Sequence, residues 1–338
     1  MNDFTPVGVR ARGLLAHLLS RAELEALAGA DGPSLARGLA RSGRLLGPVG
    51  DTAQAAELER AMRETTKRHL ATLARWDGAA PVLEVFAADQ DRRSVRALLR
   101  GALQAAPTER RLSGLVPTAS LPERVLAELA RQPTPADVVA HLFALGHPDA
   151  DRLLPLTAKK AQPDLFALDL ALVQGFAERC VGVAKLGDDP LRQFVAHRLD
   201  LCNAQAAVLL GNSPDVDAAC CFVDGGVCLS RQDFLGVAKA ATPRDGAMLL
   251  RRALASTALA GVVGEGQPDA STLERQGVVL ILEGLRRATR EQPLSSAPVL
   301  LFLARLDAMA RDVRRLSWAA ALGAPAALVR PDLVTPWR

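Results

Sequence analysis

Residues 190–211 read PLRQFVAHRLDLCNAQAAVLLG. A proline opens the stretch, apolar residues then recur at three- and four-residue intervals, and one aspartate, Asp200, stands in the middle of the apolar run. Proline is tolerated in the first turn of a helix, where its missing N–H would be unpaired anyway, and the spacing gathers the apolar side chains on one face. The stretch therefore predicts a helix of about six turns that carries a carboxylate where a helix normally buries hydrocarbon. A buried, unpaired carboxylate is costly, so Asp200 either faces a partner, pairs with a nearby arginine or caps a kink by accepting from a backbone amide.

The pattern recurs. PVLEVFAADQDRRSVRALLRG starts at Pro81 and PVLLFLARLDAMARDVRRLSWAAALG at Pro298. In the first two copies the aspartate falls ten residues after the proline, giving Asp91-x-x-Ser94 and Asp200-x-x-Asn203. The third copy offers two acids: Asp312-x-x-Arg315 fits the residues downstream of the acid, whereas Asp307 better keeps the distance from the proline. A second marker is a helix start, DGPS at Asp31, TPAD at Thr134 and TPRD at Thr242, with a capping side chain and, in the latter two, proline at the first helical position and an acid at the third. Amphipathic stretches lie between the markers, as in Leu58, Met62, Thr65, Leu70 and Leu73, and each helix start comes after a short apolar opening. The whole cycle repeats about every 105 residues. It divides the chain into three helical repeats, residues 1–105, 106–222 and 223–338.

Composition agrees with an all-α fold. The chain of 338 residues is rich in Ala, Leu and Arg, with nine Phe, three Trp and no Tyr, and so lacks the β-branched and aromatic stock of sheets. A net charge of +4 is mild, and the arginines alternate with acids instead of forming a basic block, which argues against a nucleic-acid partner. The first residues show no secretion signal, and apolar runs such as GVVLILEGL are far shorter than the roughly 20 residues that cross a bilayer. The expected location is the cytoplasm, where thiols stay free.

Chemistry is sparse. The stretch AACCFVDGGVC, residues 218–228, gathers Cys220, Cys221 and Cys228 around Gly225 and Gly226, and could be a metal site, a reactive thiol or a turn. Adjacent cysteines rarely share one tetrahedral ion; Cys202 and His197 could complete a set with Cys228, but the spacing does not demand it. A thiol nucleophile needs a base, and His17, His69, His141, His147 and His197 are scattered. No phosphate-cradling loop occurs, and Gly261, Gly264 and Gly266 follow no strand and read as a turn. No catalytic, metal or cofactor site is expected, and packing is the favoured role of the cysteines. Gly225 and Gly226 read as the turn that opens the third repeat, at the place where the second has Gly114. The repeated acids read as satisfied structural pairs, with contact to a partner as the alternative.

In order and spacing these motifs resemble the C subunits of the A/V-type rotary ATPases, whose eukaryotic counterparts are the d subunits. That family carries an acid-x-x-Asn-Leu-basic signature near the end of each of three related units. DRRSVRALLR, Asp91 to Arg100, looks like the first, DLCNAQAAVLLG like the second and DVRRLSWAAALG like the third. VRARGLLAHLLSRAELEAL resembles the family's arginine-rich first helix, and FVDGGVCLSRQDFLGVA its glycine turn into the third unit. Ser94 and Arg315 depart from the family's frequent Asn, and its tyrosines are missing. The resemblance implies three helical bundles with pseudo-threefold symmetry forming a funnel-shaped socket. It also implies a non-catalytic rotor part, peripheral on the cytoplasmic face, between the central-stalk subunits and the proteolipid ring. Competing readings are a helical-repeat scaffold of another kind, which a period this long disfavours, and a thiol- or metal-dependent enzyme built on Cys202, Cys220, Cys221 and Cys228.

Overall fold

The computed structural model describes residues 3–158, 163–211, 216–257, 259–263 and 269–336. Among them every regular element is an α-helix or a short 3-10 turn. The helix starts read from sequence are caps: Asp31 Oδ1 accepts from the Ser34 amide at 2.7 Å, Thr134 Oγ1 from the Asp137 amide at 3.2 Å, and Thr242 Oγ1 from the Asp245 amide at 3.1 Å. Each satisfies an amide that the helix itself leaves bare, a contribution of about 1 kcal/mol. Both threonines also donate to the acid three residues on, at 2.6 Å and 2.7 Å, which fixes that carboxylate at the positive end of the helix.

The same helix order is run through three times. An opening helix (Arg21–Leu27, Glu123–Ala130, Arg231–Ala238) leads to a capped helix (Gly32–Ser42, Pro135–Ala144, Pro243–Leu254). A long amphipathic helix comes next (Ala55–Leu73, Leu165–Lys185, Ala270–Glu291), and then the helix that bears the acid signature (Ala80–Leu103, Asp189–Leu210, Ala297–Ala321). Thr5–Leu15 stands ahead of the first series, and Ala150–Thr157 is added in the second. Leu58, Met62, Thr65 and Leu73 are buried and Leu70 half-buried, so the predicted stripe is the packed face of Ala55–Leu73. Gly261 lies in a turn; Gly264 and Gly266 fall outside the described residues.

By its contacts the chain divides into two compact units. The first comprises Met1–Ala22, Val181–Met309 and Asp332–Arg338. In it the second signature helix packs on Ala270–Glu291, Arg231–Ala238 and Pro243–Leu254. Gly277 permits the packing on Ala270–Glu291, because a Cβ there would collide with the Leu201 methyls. The second unit comprises Glu23–Cys180 and Ala310–Pro331. Its core sets Val95, Leu98 and Leu99 of the first signature helix with Leu129, Val138, Val139 and Leu142.

Candidate functional site

Asp200 is fully buried, and its donors are backbone amides from the approach to the third opening helix. Val227 and Cys228 donate to Oδ2 at 3.0 Å and 2.9 Å, and Leu229 donates to Oδ1 at 3.0 Å. One helical turn on, Asn203 completes the clasp: its Nδ2 donates to the Val223 carbonyl at 2.8 Å and its Oδ1 accepts from the Val223 amide at 3.0 Å. The turn between these anchors requires glycine. Gly225 sits at φ +111°, and a Cβ on Gly226 would strike the Asp200 carboxylate. The motif Asp-x-x-Asn is thus a two-pronged clamp on residues 223–229.

Asp91 does the same work with different donors. It is fully buried and accepts from the Thr118 and Ser120 hydroxyls, each at 2.5 Å, on the approach to the second opening helix. These partners lie 27 and 29 residues downstream, and those of Asp200 lie 27, 28 and 29 downstream, so the two clamps are in register. In that register Ser94 matches Asn203 and Gly114 matches Val223. The buried serine is shorter than asparagine, and the Gly114 carbonyl receives Arg314 Nη2 at 2.7 Å instead. The pairing of Gly225-Gly226 with Gly114 is therefore corrected: Val116 and Pro117 occupy those places, and Gly114, at φ +71°, is a separate turn. Arg100, together with Arg96, binds Asp169 at 2.8 Å on the next long helix.

In the third signature helix burial separates the two candidate acids. Asp312 is fully buried, like Asp91 and Asp200, whereas Asp307 is half-buried. Arg315 lies 3.5 Å from Asp312. On the same helix Met309 Sδ accepts from the Leu19 amide at 3.2 Å, and Arg305 Nη2 donates to the Leu19 carbonyl at 3.3 Å, just ahead of the first opening helix. Each signature helix thus grips the approach to an opening helix, the third gripping that of the first.

Around Asp91 the second unit holds ionisable groups that sequence reasoning did not bring together. Arg179 Nη1 lies 3.3 Å from Asp91 and its Nη2 3.1 Å from Glu84. Burial alone would depress Arg179, but the Glu84 hydrogen bond and the Asp91 charge outweigh it and hold its pKa up. His147 and Asp149 are buried beside them, with His147 Nδ1 accepting the Asp149 amide at 3.3 Å. Burial pushes the Asp149 carboxyl up to about 6 and lowers His147. Asp149 Oδ1 and His147 Nε2 make no hydrogen bond. Buried Glu59 forms another such group, accepting Trp318 Nε1 at 2.7 Å and the Ser113 hydroxyl.

Around the glycine turn the surroundings of Cys220, Cys221 and Cys228 work against an activated thiol. Burial and the Asp200 charge push Cys228 up to about 12, the Asp217 hydrogen bond raises Cys220, and burial raises Cys221. Since the thiolate is the nucleophile, each shift opposes reactivity. Burial also lowers His197. Among the described residues no three His, Cys, Asp or Glu side chains converge as metal ligands, and no helix is long and apolar enough to cross a membrane.

A search among curated proteins finds no match. The family model described as ATP synthase (C/AC39) subunit, in contrast, matches residues 7–330. That span takes in all three signature helices and both clamps, and the chain belongs to this family, that of the C and d subunits of the A/V-type ATPases.

Proposed function

We propose that the chain is the non-catalytic rotor subunit that joins the central stalk of a V/A-type ATPase to its membrane proteolipid ring and passes torque between them, on the cytoplasmic face. The observation that carries the reading is the family match over residues 7–330. The geometry supports it in two ways. Asp91 and Asp200, buried and held by turns of the chain itself, are suited to rigidity and not to turnover, since a catalytic acid must reach a substrate. The helix order recurs three times, and the third signature helix grips the approach to the first opening helix, as expected of repeats 1–105, 106–222 and 223–338 arranged with pseudo-threefold symmetry around a socket. Torque has to cross such interfaces without slipping, which favours broad contacts over a single anchor.

Reconstitution tests the reading. Stalk and ring subcomplexes are combined with and without the purified chain, and ion-coupled ATP hydrolysis is measured. Coupling that depends on the chain is expected; equal coupling in its absence, or no binding to either subcomplex, rejects the rotor role.

A further inference from the structure

Two turns of the first unit, each leading into a signature helix, are tied together by one carboxylate. Asp188 caps the second signature helix at the Leu191 amide, 3.2 Å away, and accepts the Ser296 amide at 2.7 Å and hydroxyl at 2.5 Å, at the start of the third. The helix Thr5–Leu15 joins the same place, with Gly8 facing the Pro298 ring and Arg12 donating to the Pro293 carbonyl. Large apolar side chains stand in water around this junction. Two residues ahead of Asp188 is Leu186, 85% exposed; two ahead of Ser296 is Leu294, 66% exposed; and beside Gly8 is Val9, 64% exposed. One exposed leucine needs no explanation, but three mostly exposed apolar side chains flanking one junction mark a contact surface.

Cations accompany them. Exposed Lys185 precedes Leu186, exposed Arg10 succeeds Val9, Arg192 donates to the Gly187 carbonyl, and Arg12 holds the turn of Leu294. Of the neighbouring acids, Asp188 is engaged by the Leu191 amide and Ser296 and Asp189 by Arg192, while exposed Glu291 stands three residues ahead of Leu294. A basic residue beside an exposed apolar one also stands in the first repeat, where Arg75-Trp76, with Trp76 41% exposed, comes shortly ahead of Ala80–Leu103.

We propose that this junction is a lipid-contacting surface, on which Leu186, Leu294 and Val9 enter the headgroup layer of an anionic bilayer while Lys185, Arg10 and Arg12 meet its phosphates. A basic residue beside a leucine or tryptophan is the composition that settles at a membrane interface. The apolar side chains stand on two turns and one helix, with Lys185 and Arg10 as chain neighbours of Leu186 and Val9, which suits a fluid that closes around each one; a protein partner would need a contiguous dry patch. Three such side chains bury less hydrocarbon than a myristoyl chain, whose association constant is about 10⁴ M⁻¹. The junction therefore binds weakly alone and acts beside a second attachment. The inference rests on the rotor reading only for that attachment, the ring, which keeps a bilayer within reach.

The test is flotation of the purified full chain with vesicles at millimolar lipid, either pure phosphatidylcholine or phosphatidylcholine with phosphatidylglycerol. Binding is expected on the anionic vesicles only, weakening as salt is added. The double variant Leu186→Ser/Leu294→Ser, and separately Lys185→Glu, should each lower it by about fivefold. Circular dichroism and melting temperature should stay unchanged, because these side chains are exposed. Absence of the wild-type chain from anionic vesicles overturns the proposal, as does flotation that both variants leave intact. So does loss of binding by the variants to a detergent-held ring while the wild-type chain ignores vesicles, since the occupant is then protein. A chain that fails on vesicles yet restores coupled hydrolysis sinks the lipid surface and leaves the rotor reading standing; flotation without coupling does the reverse.

Discussion

Asn203 spends its whole amide on one residue, Val223, donating to the carbonyl and accepting from the N–H. Asn203→Ala leaves both backbone groups buried without partners, so a loss of about 2–3 kcal/mol is expected in urea unfolding. Asp149 poses the opposite case, a carboxylate the fold would rather keep protonated. Its carboxyl titrates near 6 in the folded chain against an ordinary value of 3.8, so its favourable contribution is complete below about pH 4 and is lost as the pH rises through 6. His147 shifts the other way under burial, so the contribution of Asp149 is best read as a difference between variants. Asp149→Asn should stabilise the protein by about 1–3 kcal/mol at pH 7.5 and by almost nothing near pH 4. Paired denaturant titrations at the two pH values check this, and a gain that does not vary with pH would mean that the burial of its charge is not the source.

At the scale of helices, the caps of Pro135–Ala144 and Pro243–Leu254 are independent local devices. Thr134→Ala and Thr242→Ala should each cost about 1 kcal/mol, additively, in thermal or urea melts. What could be read from sequence was of this local kind: caps within three residues of their amides, apolar stripes within a few turns, and the proline that starts each signature helix. The ten-residue spacing of Asp91 and Asp200 from their prolines located the clamp acids, but not their donors. Those lie on the approach to the next repeat, and nothing local distinguishes Thr118 or the amide of Leu229 from its neighbours. More distant partners left no trace, since Arg179 is 88 residues from Asp91 and Arg314 is 200 from Gly114. Ser94 looked like a lapse from the family pattern because the Arg314 that serves the Gly114 carbonyl could not be foreseen. Glycine marks a turn but not its register, which the carboxylates set, so Gly114 and the Gly225-Gly226 pair do not correspond.

At the scale of the chain, the C-terminal segment returns to the first unit, where Leu333, Val334 and Thr335 are buried. Arg21 donates to the Leu333 and Thr335 carbonyls at 2.6 Å and 3.2 Å, and Arg275 pairs with Asp332. Ending the chain at Pro331 exposes the surfaces that Leu333 and Val334 cover, and a loss of about 3–5 kcal/mol is expected, read from the unfolding midpoint. The clamps bear on synthesis as well. A ribosome that has just made Asp200 must add 27–29 further residues before the Val227, Cys228 and Leu229 amides exist, a delay of a few seconds at about 5–20 residues per second. Through that interval the carboxylate stays hydrated, and the second signature helix waits, undocked at its middle, for the start of the third repeat to leave the exit tunnel.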